Sequence, residues 1–291
     1  MTERALAPST PRAADGLVWI DGDIRPIDGA TVPLEDRGFM FADGVYEVLR
    51  AYAGRLFATH DHLERLARSA AGIRLALPLT TPEIGEVVVE LMEQTGLGDA
   101  EVYIQATRGA ARRNHLFPDV PGRLVIWVRP PRAMNADLWA KGCKAITLVD
   151  ERWARCDLKT VSLLPNVLAK QAAYDAGAYE AVLVRDGFVT EGSASNLFLV
   201  LNGELVTPVA DNRILPGITR AHVLRLAERL EIPFVERNVC DDELPLAQEL
   251  FFTSTSLEVL GVAELDGRAL AAPGPVTTRL AEAFAGHARG N

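Results

Sequence analysis

The fold class of this chain turns on residues 179–208, YEAVLVRDGFVTEGSASNLFLVLNGELVTP. Two apolar runs meet at Asp186-Gly187 and two more at Asn202-Gly203, and such pairs supply the turn of a two-residue β-hairpin. The same pattern lies upstream, in LVWIDGDIRPID at Asp21-Gly22 and in VYEVLRAYAGRLFAT at Ala53-Gly54. EVYIQATRG, GRLVIWVRP, KAITLVD, ELFFTSTS and VLGVAELDGRAL read as further strands. Between them, HDHLERLARSAAGIRL sets Leu63, Leu66, Ala67, Ala70 and Ile73 at helical spacing and leaves Arg65 and Arg68 off the stripe. TPEIGEVVVELMEQTG, from a threonine cap to Gly96, LPNVLAKQAAYDAGA, ending at Gly177, the strongly amphipathic GITRAHVLRLAERLE, and VTTRLAEAFAGHA are also helical. Hairpins outnumber strand–helix–strand crossovers, so the expected class is α+β (mixed α/β), not a doubly wound parallel sheet. A proline-containing stretch, VRPPRAMNADLW, marks a domain boundary. The expected organisation is a flexible tail at 1–15, a small N-terminal α/β domain at 16–132 and a larger C-terminal domain at 133–291.

With 291 residues, 48% hydrophobic and 24% charged, the chain has an ordinary globular composition. Its net charge of −9 argues against nucleic acid or an anionic membrane as a partner. The apolar runs LVIWV and AVLV are strand-sized, far short of a bilayer span. Cys143, Cys156 and Cys240 are odd in number and widely spaced, which points to a reducing compartment, the cytoplasm. GxGxxG after a strand, GxxxxGK[ST], HExxH and GxSxG are all missing, and His60 and His62 have no cluster to complete a metal site. No metal is expected.

Of the 30 basic residues only four are lysines, one of them Lys159 in ERWARCDLKTVSLLPNVLAKQ, residues 151–171. A surface charge at 159 is served equally well by arginine, whereas a reactive amine is not, because a guanidinium does not deprotonate. If RCDLKT is extended, Arg155, Asp157 and Lys159 share one face. The competing reading is a solvated lysine beside Asp157. Each other candidate has a similar rival. ILPGITRAHV opens a helix at a Pro-Gly turn, and the amides of Ile218 and Thr219 form either an anion site or a plain helix start. Arg65 alone reads as a surface arginine. TSTS at 253–256 ends a strand with hydroxyls. TRGAARRNHLFPD gathers Arg108, Arg112, Arg113 and His115 into a carboxylate trap or a solvated basic loop. Glu191, in VTEGSASN, is in isolation a strand-end acid.

Together, LEDRGFMFADGVYEV, HDHLERLARSA, TRGAARRNHLFPD, RWARCDLKTVSLLPNVLAKQ, YEAVLVRDGFVTEGSASN, RILPGITR and FFTSTSLEV resemble the fold-type IV pyridoxal-phosphate enzymes, and within them the D-amino-acid (D-alanine) transaminases. The resemblance covers nearly the whole chain, and it implies a C-terminal pseudo-barrel domain. It makes Lys159 the Schiff-base lysine and proton shuttle, and Glu191 the partner of the pyridine nitrogen. It puts Arg65, Ile218, Thr219 and Thr255 in a phosphate cup, with Ser195 and Ser254 near the cofactor. Tyr46, Arg113 and His115 then hold the substrate α-carboxylate, the last two reaching in from the second subunit of a homodimer. The implied substrates are a D-amino acid and a 2-oxo acid. Two departures stand out: Arg112 replaces a proline usual in the D-alanine enzymes, and Ala194 replaces one of two successive serines. Rivals within the fold are (R)-selective amine transaminases, branched-chain aminotransferases and aminodeoxychorismate lyase, and a non-catalytic cofactor-binding protein is the rival outside enzymology. The Arg113-x-His115 pair argues against the first three.

Overall fold

All four expected hairpins form. Asp21, Ala53, Asp186 and Asn202 each adopt positive φ before a positive-φ glycine, and the closing pairs Ile20–Asp23, Tyr52–Arg55, Arg185–Phe188 and Leu201–Glu204 bracket those turns. Local turn chemistry alone is enough to set such registers. This computed structural model describes residues 16–133 and 136–290. The tail expected at 1–15 lies outside the described residues, as do residues 134 and 135 of the expected boundary stretch.

The first sheet holds β1 (Leu17–Ile20), β2 (Asp23–Pro26), β3 (Gly44–Tyr52), β4 (Arg55–Leu56), β5 (Ala100–Thr107) and β6 (Arg123–Arg129) in the order β2-β1-β6-β5-β3-β4. Each pairing in it is antiparallel. Helices α2 (Thr59–Gly72) and α3 (Thr81–Thr95) cover one face and bury Leu49, Leu66, Ile84, Leu91, Ile104 and Ile126. Thr80 caps α3 through a capping box with Glu83, one residue before the Thr81 expected as the cap, which instead forms the first residue of the helix. A short helix absent from the periodicity reading, α1 (Arg37–Phe41), follows Asp36. The Asp36 carboxylate accepts from the Gly38 N–H at 2.8 Å and the Thr107 hydroxyl at 2.9 Å, tying α1 to β5.

The second sheet is mixed. Its strands are β7 (Cys143–Val149), β8 (Glu180–Arg185), β9 (Phe188–Gly192), β10 (Asn196–Leu201), β11 (Glu204–Thr207), β12 (Phe234–Glu236), β13 (Val239–Cys240), β14 (Glu249–Ser254), β15 (Glu258–Leu265) and β16 (Arg268–Ala269). They run β12-β11-β10-β14-β15-β7-β8-β9-β13, with β16 on β15. The two ends of that order, β12 and β13, are joined by residues 237–238 alone. So short a link spans no more than about 11 Å, and the sheet must curl until its edges meet. Its strands β8, β9, β10, β14 and β15 carry runs of four or five consecutive buried residues and so are covered on both faces. Leu197, Leu199 and Phe252 point into the curl, while Phe198 and Phe251 stack at 4.8 Å beneath α6 (Ile218–Arg229) and α7 (Pro275–Arg289). Because α6 is held between sheet and α7, it buries Arg220 and His222 as well as its apolar stripe, more than an amphipathic surface helix would. Helices α4 (Ala136–Lys141) and α5 (Leu164–Asp175) complete the chain. Among the described residues no helix is long and apolar enough to cross a membrane.

Candidate active site

A cavity of about 300 Å³ is lined by residues from β3, α2, the connection after β7, β9, the start of α6 and the end of β14. It brings together Lys159, Glu191, Arg65, Ile218, Thr219, Thr255, Ser195, Ser254 and Tyr46, nine of the eleven candidate residues. Arg113 and His115 are not in its lining; they stand exposed on the connection between β5 and β6.

Lys159 arrives by a route different from the extended one expected. RCDLKT turns, with the Leu158 N–H donating back to Arg155 O at 3.2 Å, so alternation of faces does not apply. Arg155 and Asp157 pair with each other at the surface. Lys159 enters the cavity without them. Its backbone is pinned from two sides: its N–H donates to Ser69 Oγ at 3.0 Å and its carbonyl accepts from the Tyr46 N–H at 3.0 Å. The Nζ lies 4.3 Å from the centre of the Tyr46 ring.

Glu191 sits buried on β9. Its carboxylate accepts from Arg152 Nη1, from Asn196 Nδ2 at 2.8 Å and from the Leu215 N–H at 3.1 Å. Burial pushes this carboxyl up to about 7, with the pull of Arg152 and the Leu215 N–H offsetting only part of the desolvation. Arg152 also forks onto Asp150, and Asp150 receives Arg185 and the Thr190 hydroxyl. Burial raises Asp150, but Arg152 outweighs it and holds that carboxyl at about 2.

The part of the lining at the start of α6 is built for an anion. Gly217 precedes α6 with no side-chain cap, leaving the first amides of the helix, at its positive end, facing the cavity. Only glycine fits there, because a Cβ would strike Asn196 Oδ1. Arg65 is not the surface arginine that its off-stripe position suggested; it is 3% exposed, since α2 is packed on more than its apolar face. Its Nε and Nη2 fork onto Glu47 at 2.7 and 2.9 Å, and its Nη1 reaches Pro216 O at 3.0 Å. Ser254 Oγ is partly engaged, accepting from the Leu257 N–H at 3.1 Å, and Ser195 Oγ donates to Glu180 at 3.3 Å. Thr253 Oγ1, also in the lining, is buried with no hydrogen-bond partner among the described residues.

His62, set aside as a metal ligand, instead shares Glu47 with Arg65, its Nδ1 2.7 Å from the carboxylate. Burial alone would raise Glu47, but the charge and hydrogen bonds of Arg65, with the bond to His62, hold it at about 2. A carboxyl depressed in the fold contributes stability that is present above its ordinary value of 4.5 and lost as pH falls through 2. Glu47→Gln is therefore expected to cost on the order of 3 kcal/mol at neutral pH, with the difference from the parent shrinking between pH 5 and 2, as read by denaturant titrations across that range.

Arg108, counted in the basic loop, is not at its tip. It is buried, forks onto Asp43, donates to the carbonyls of Ile73 and Arg74, and stacks 3.7 Å from the Phe117 ring centre. The residues that sequence reasoning missed are Arg152 and Asn196. Each meets its neighbours only through the fold, and Arg152 carries no pattern that marks it among 26 arginines.

The model of the family described as "Amino-transferase class IV" matches residues 44–265, most of the chain and every cavity element. The chain belongs to the class IV aminotransferases. It is 40% identical over 275 residues to a D-alanine aminotransferase of Staphylococcus epidermidis, covering 92% of this chain and 96% of that one. A D-alanine aminotransferase of Listeria monocytogenes is 41% identical over 274 residues, at 92% and 94% coverage. Among solved structures, the branched-chain aminotransferase of Thermoproteus uzoniensis with norvaline superposes with a TM-score of 0.87 at 31% identity, covering 95% of each chain. The branched-chain aminotransferase of Escherichia coli gives a TM-score of 0.90 at 26% identity, again over 95% of each chain.

Proposed function

We propose that this chain is a D-amino-acid transaminase that uses pyridoxal 5'-phosphate to move the amino group of D-alanine, or a D-amino acid like it, to a 2-oxo acid such as 2-oxoglutarate. The observation that carries the reading is the gathering of groups in one cavity: a lysine amine, a buried carboxyl, and an uncapped helix start with an arginine. The lining fits that cofactor. Thr253 Oγ1 is a buried hydroxyl awaiting a polar partner, and the α6 amides with Arg65 and Thr255 suit a phosphate. When bound, pyridoxal phosphate supplies an aldehyde carbon for an amine and a ring that withdraws electrons from the substrate Cα.

The remaining chemistry belongs to the chain. Lys159 Nζ is the amine that would hold the cofactor through its aldehyde carbon and, once a substrate amine takes its place, would serve as the base for the substrate Cα proton and the acid that returns it. Glu191, whose carboxyl holds a proton with an affinity near neutral pH, keeps the ring nitrogen protonated, and Arg152 fixes Glu191 in place. Arg65, Ile218 and Thr219 hold the phosphate, with Thr255, Ser254 and Ser195 beside the cofactor. Tyr46 faces Lys159 on the substrate side.

Arg113 and His115 complete the carboxylate trap from a second copy of the chain. Both are exposed and outside the cavity of their own chain. Leu34, Phe39, Leu116, Leu164 and Leu168 stand exposed, and Leu163 and Val167, beside the last two, reach the lining; large apolar side chains left in water beside the cavity suit a partner surface. A homodimer supplies both needs. The chain divides into domains at 16–132 and 133–291 around the two sheets, and its free cysteines, Cys143, Cys156 and Cys240, suit the cytoplasm. D-alanine with 2-oxoglutarate is expected to give pyruvate and D-glutamate, read by chiral chromatography, with a dimer in sedimentation. Turnover of L-leucine in preference to D-alanine would favour a branched-chain enzyme and overturn the assignment.

A further inference from the structure

We infer that Arg37 is a positioning residue for substrate recognition: its buried guanidinium anchors the loop that presents Arg113 and His115. This rests on the reading of those two residues as the carboxylate trap. Arg37 lies on α1, outside the cavity, and is 3% exposed. Its Nη1 donates to the carbonyl of Asn114 at 2.5 Å and more weakly to that of Leu116 at 3.4 Å, the two residues flanking His115. Its Nε is held by Asp43 at 2.8 Å. A charged donor fixed on two carbonyls either side of one residue sets that residue's backbone direction.

The tip has a second support from the same helix. The Phe41 ring has the Arg113 guanidinium 5.1 Å from its centre and the His115 ring at 5.4 Å, with the Arg37 guanidinium at 4.8 Å. Both trap side chains thus pack on one aromatic ring, one turn from Arg37. The base of the loop is tied independently. The Arg37 N–H donates to Gly109 O at 2.9 Å, the Ala111 N–H to Glu35 O at 3.1 Å, and Arg108 forks onto the other side of Asp43. Side chains that must reach across to another copy gain from being held beforehand, since each rotor frozen on binding weakens it.

Arg37→Met tests this cleanly, because Asp43 keeps the Arg108 fork and is not left as an unpaired buried charge. The KM for D-alanine is expected to rise about tenfold with kcat within about twofold, the change that loss of one charged anchor produces. The bound-cofactor absorbance, the pyridoxal-phosphate dissociation constant and the dimer are expected to be unchanged, and amide hydrogen exchange over 110–118 to become about tenfold faster. Arg37→Lys is expected to recover part of both effects. Arg113→Ala is run alongside. If it raises KM while Arg37→Met changes neither KM nor exchange, the inference is overturned and the trap stands. If Arg113→Ala leaves KM unaltered, the trap reading fails, and faster exchange in Arg37→Met then supports the anchor alone. Loss of cofactor or dimer in Arg37→Met and Arg37→Lys alike assigns Arg37 a purely structural role and also overturns it.

Discussion

Lys159→Ala is expected to lower turnover of D-alanine with 2-oxoglutarate by at least about 10³-fold, because in the proposed reaction one Nζ serves as nucleophile and as carrier of the Cα proton. The rest of the cavity remains. Tyr46, Glu191, Arg65 and the start of α6 make none of their hydrogen bonds through the Lys159 side chain, so the variant is expected to fold and to bind pyridoxal phosphate without a covalent bond. Two measurements check this together. Borohydride treatment followed by peptide mass analysis should find the cofactor on Lys159 in the parent and nowhere in the variant, and steady-state rates should fall by the stated factor. Lys159→Arg is expected to be as inactive as alanine, since a guanidinium keeps its charge but never offers a free lone pair. An alanine variant within tenfold of the parent rate would refute the assignment of Lys159.

Glu191→Gln carries the next largest effect, a fall in kcat of about 10²-fold, the size seen when one preorganised electrostatic partner of developing charge is removed. Glutamine retains the bonds from Asn196 and the Leu215 N–H but cannot share a proton with a ring nitrogen. The free protein supplies a second, independent readout. Burial raises the Glu191 carboxyl from 4.5 to about 7, so between those values the folded state holds a proton that the unfolded state has released. Stability from this group is therefore complete below pH 4.5 and lost as pH rises through 7. Relative to Glu191→Gln, the cofactor-free parent should lose denaturation free energy on going from pH 4.5 to 7.5. A constant difference across that range, with kcat unchanged, would show that Glu191 neither titrates there nor serves the reaction.

How much of this was legible beforehand follows from the distances in sequence over which each feature is decided. The turns at Asp21-Gly22, Asp186-Gly187 and Asn202-Gly203 and the Thr80–Glu83 capping box depend on residues within four positions, and the chain folds there as its local chemistry demands. Lys159 was distinguishable because so few lysines remain among the basic residues, and the seven family-like segments supplied roles that spacing did not. The parallel pairings β7·β8, β7·β15 and β11·β12, which curl the second sheet, leave no mark on hairpin counting.

The sequence by itself determined the longer strands and helices and the hairpin registers, consequences of neighbouring residues, while the short α1 went unread and the role proposed for Lys159 came from the family resemblance. Tertiary structure decided which charges lie inside. Arg65 is joined to Glu47 and to Pro216, Arg152 to Glu191, and Arg108 and Arg37 to Asp43, across separations of 6 to 151 residues. Periodicity can say that an arginine is off an apolar stripe, but only the packing of other elements onto that side determines whether it meets water or a carboxylate. A buried arginine is stable only with its anion in place, so the same side chain is solvent-facing in one topology and the wall of a cavity in another.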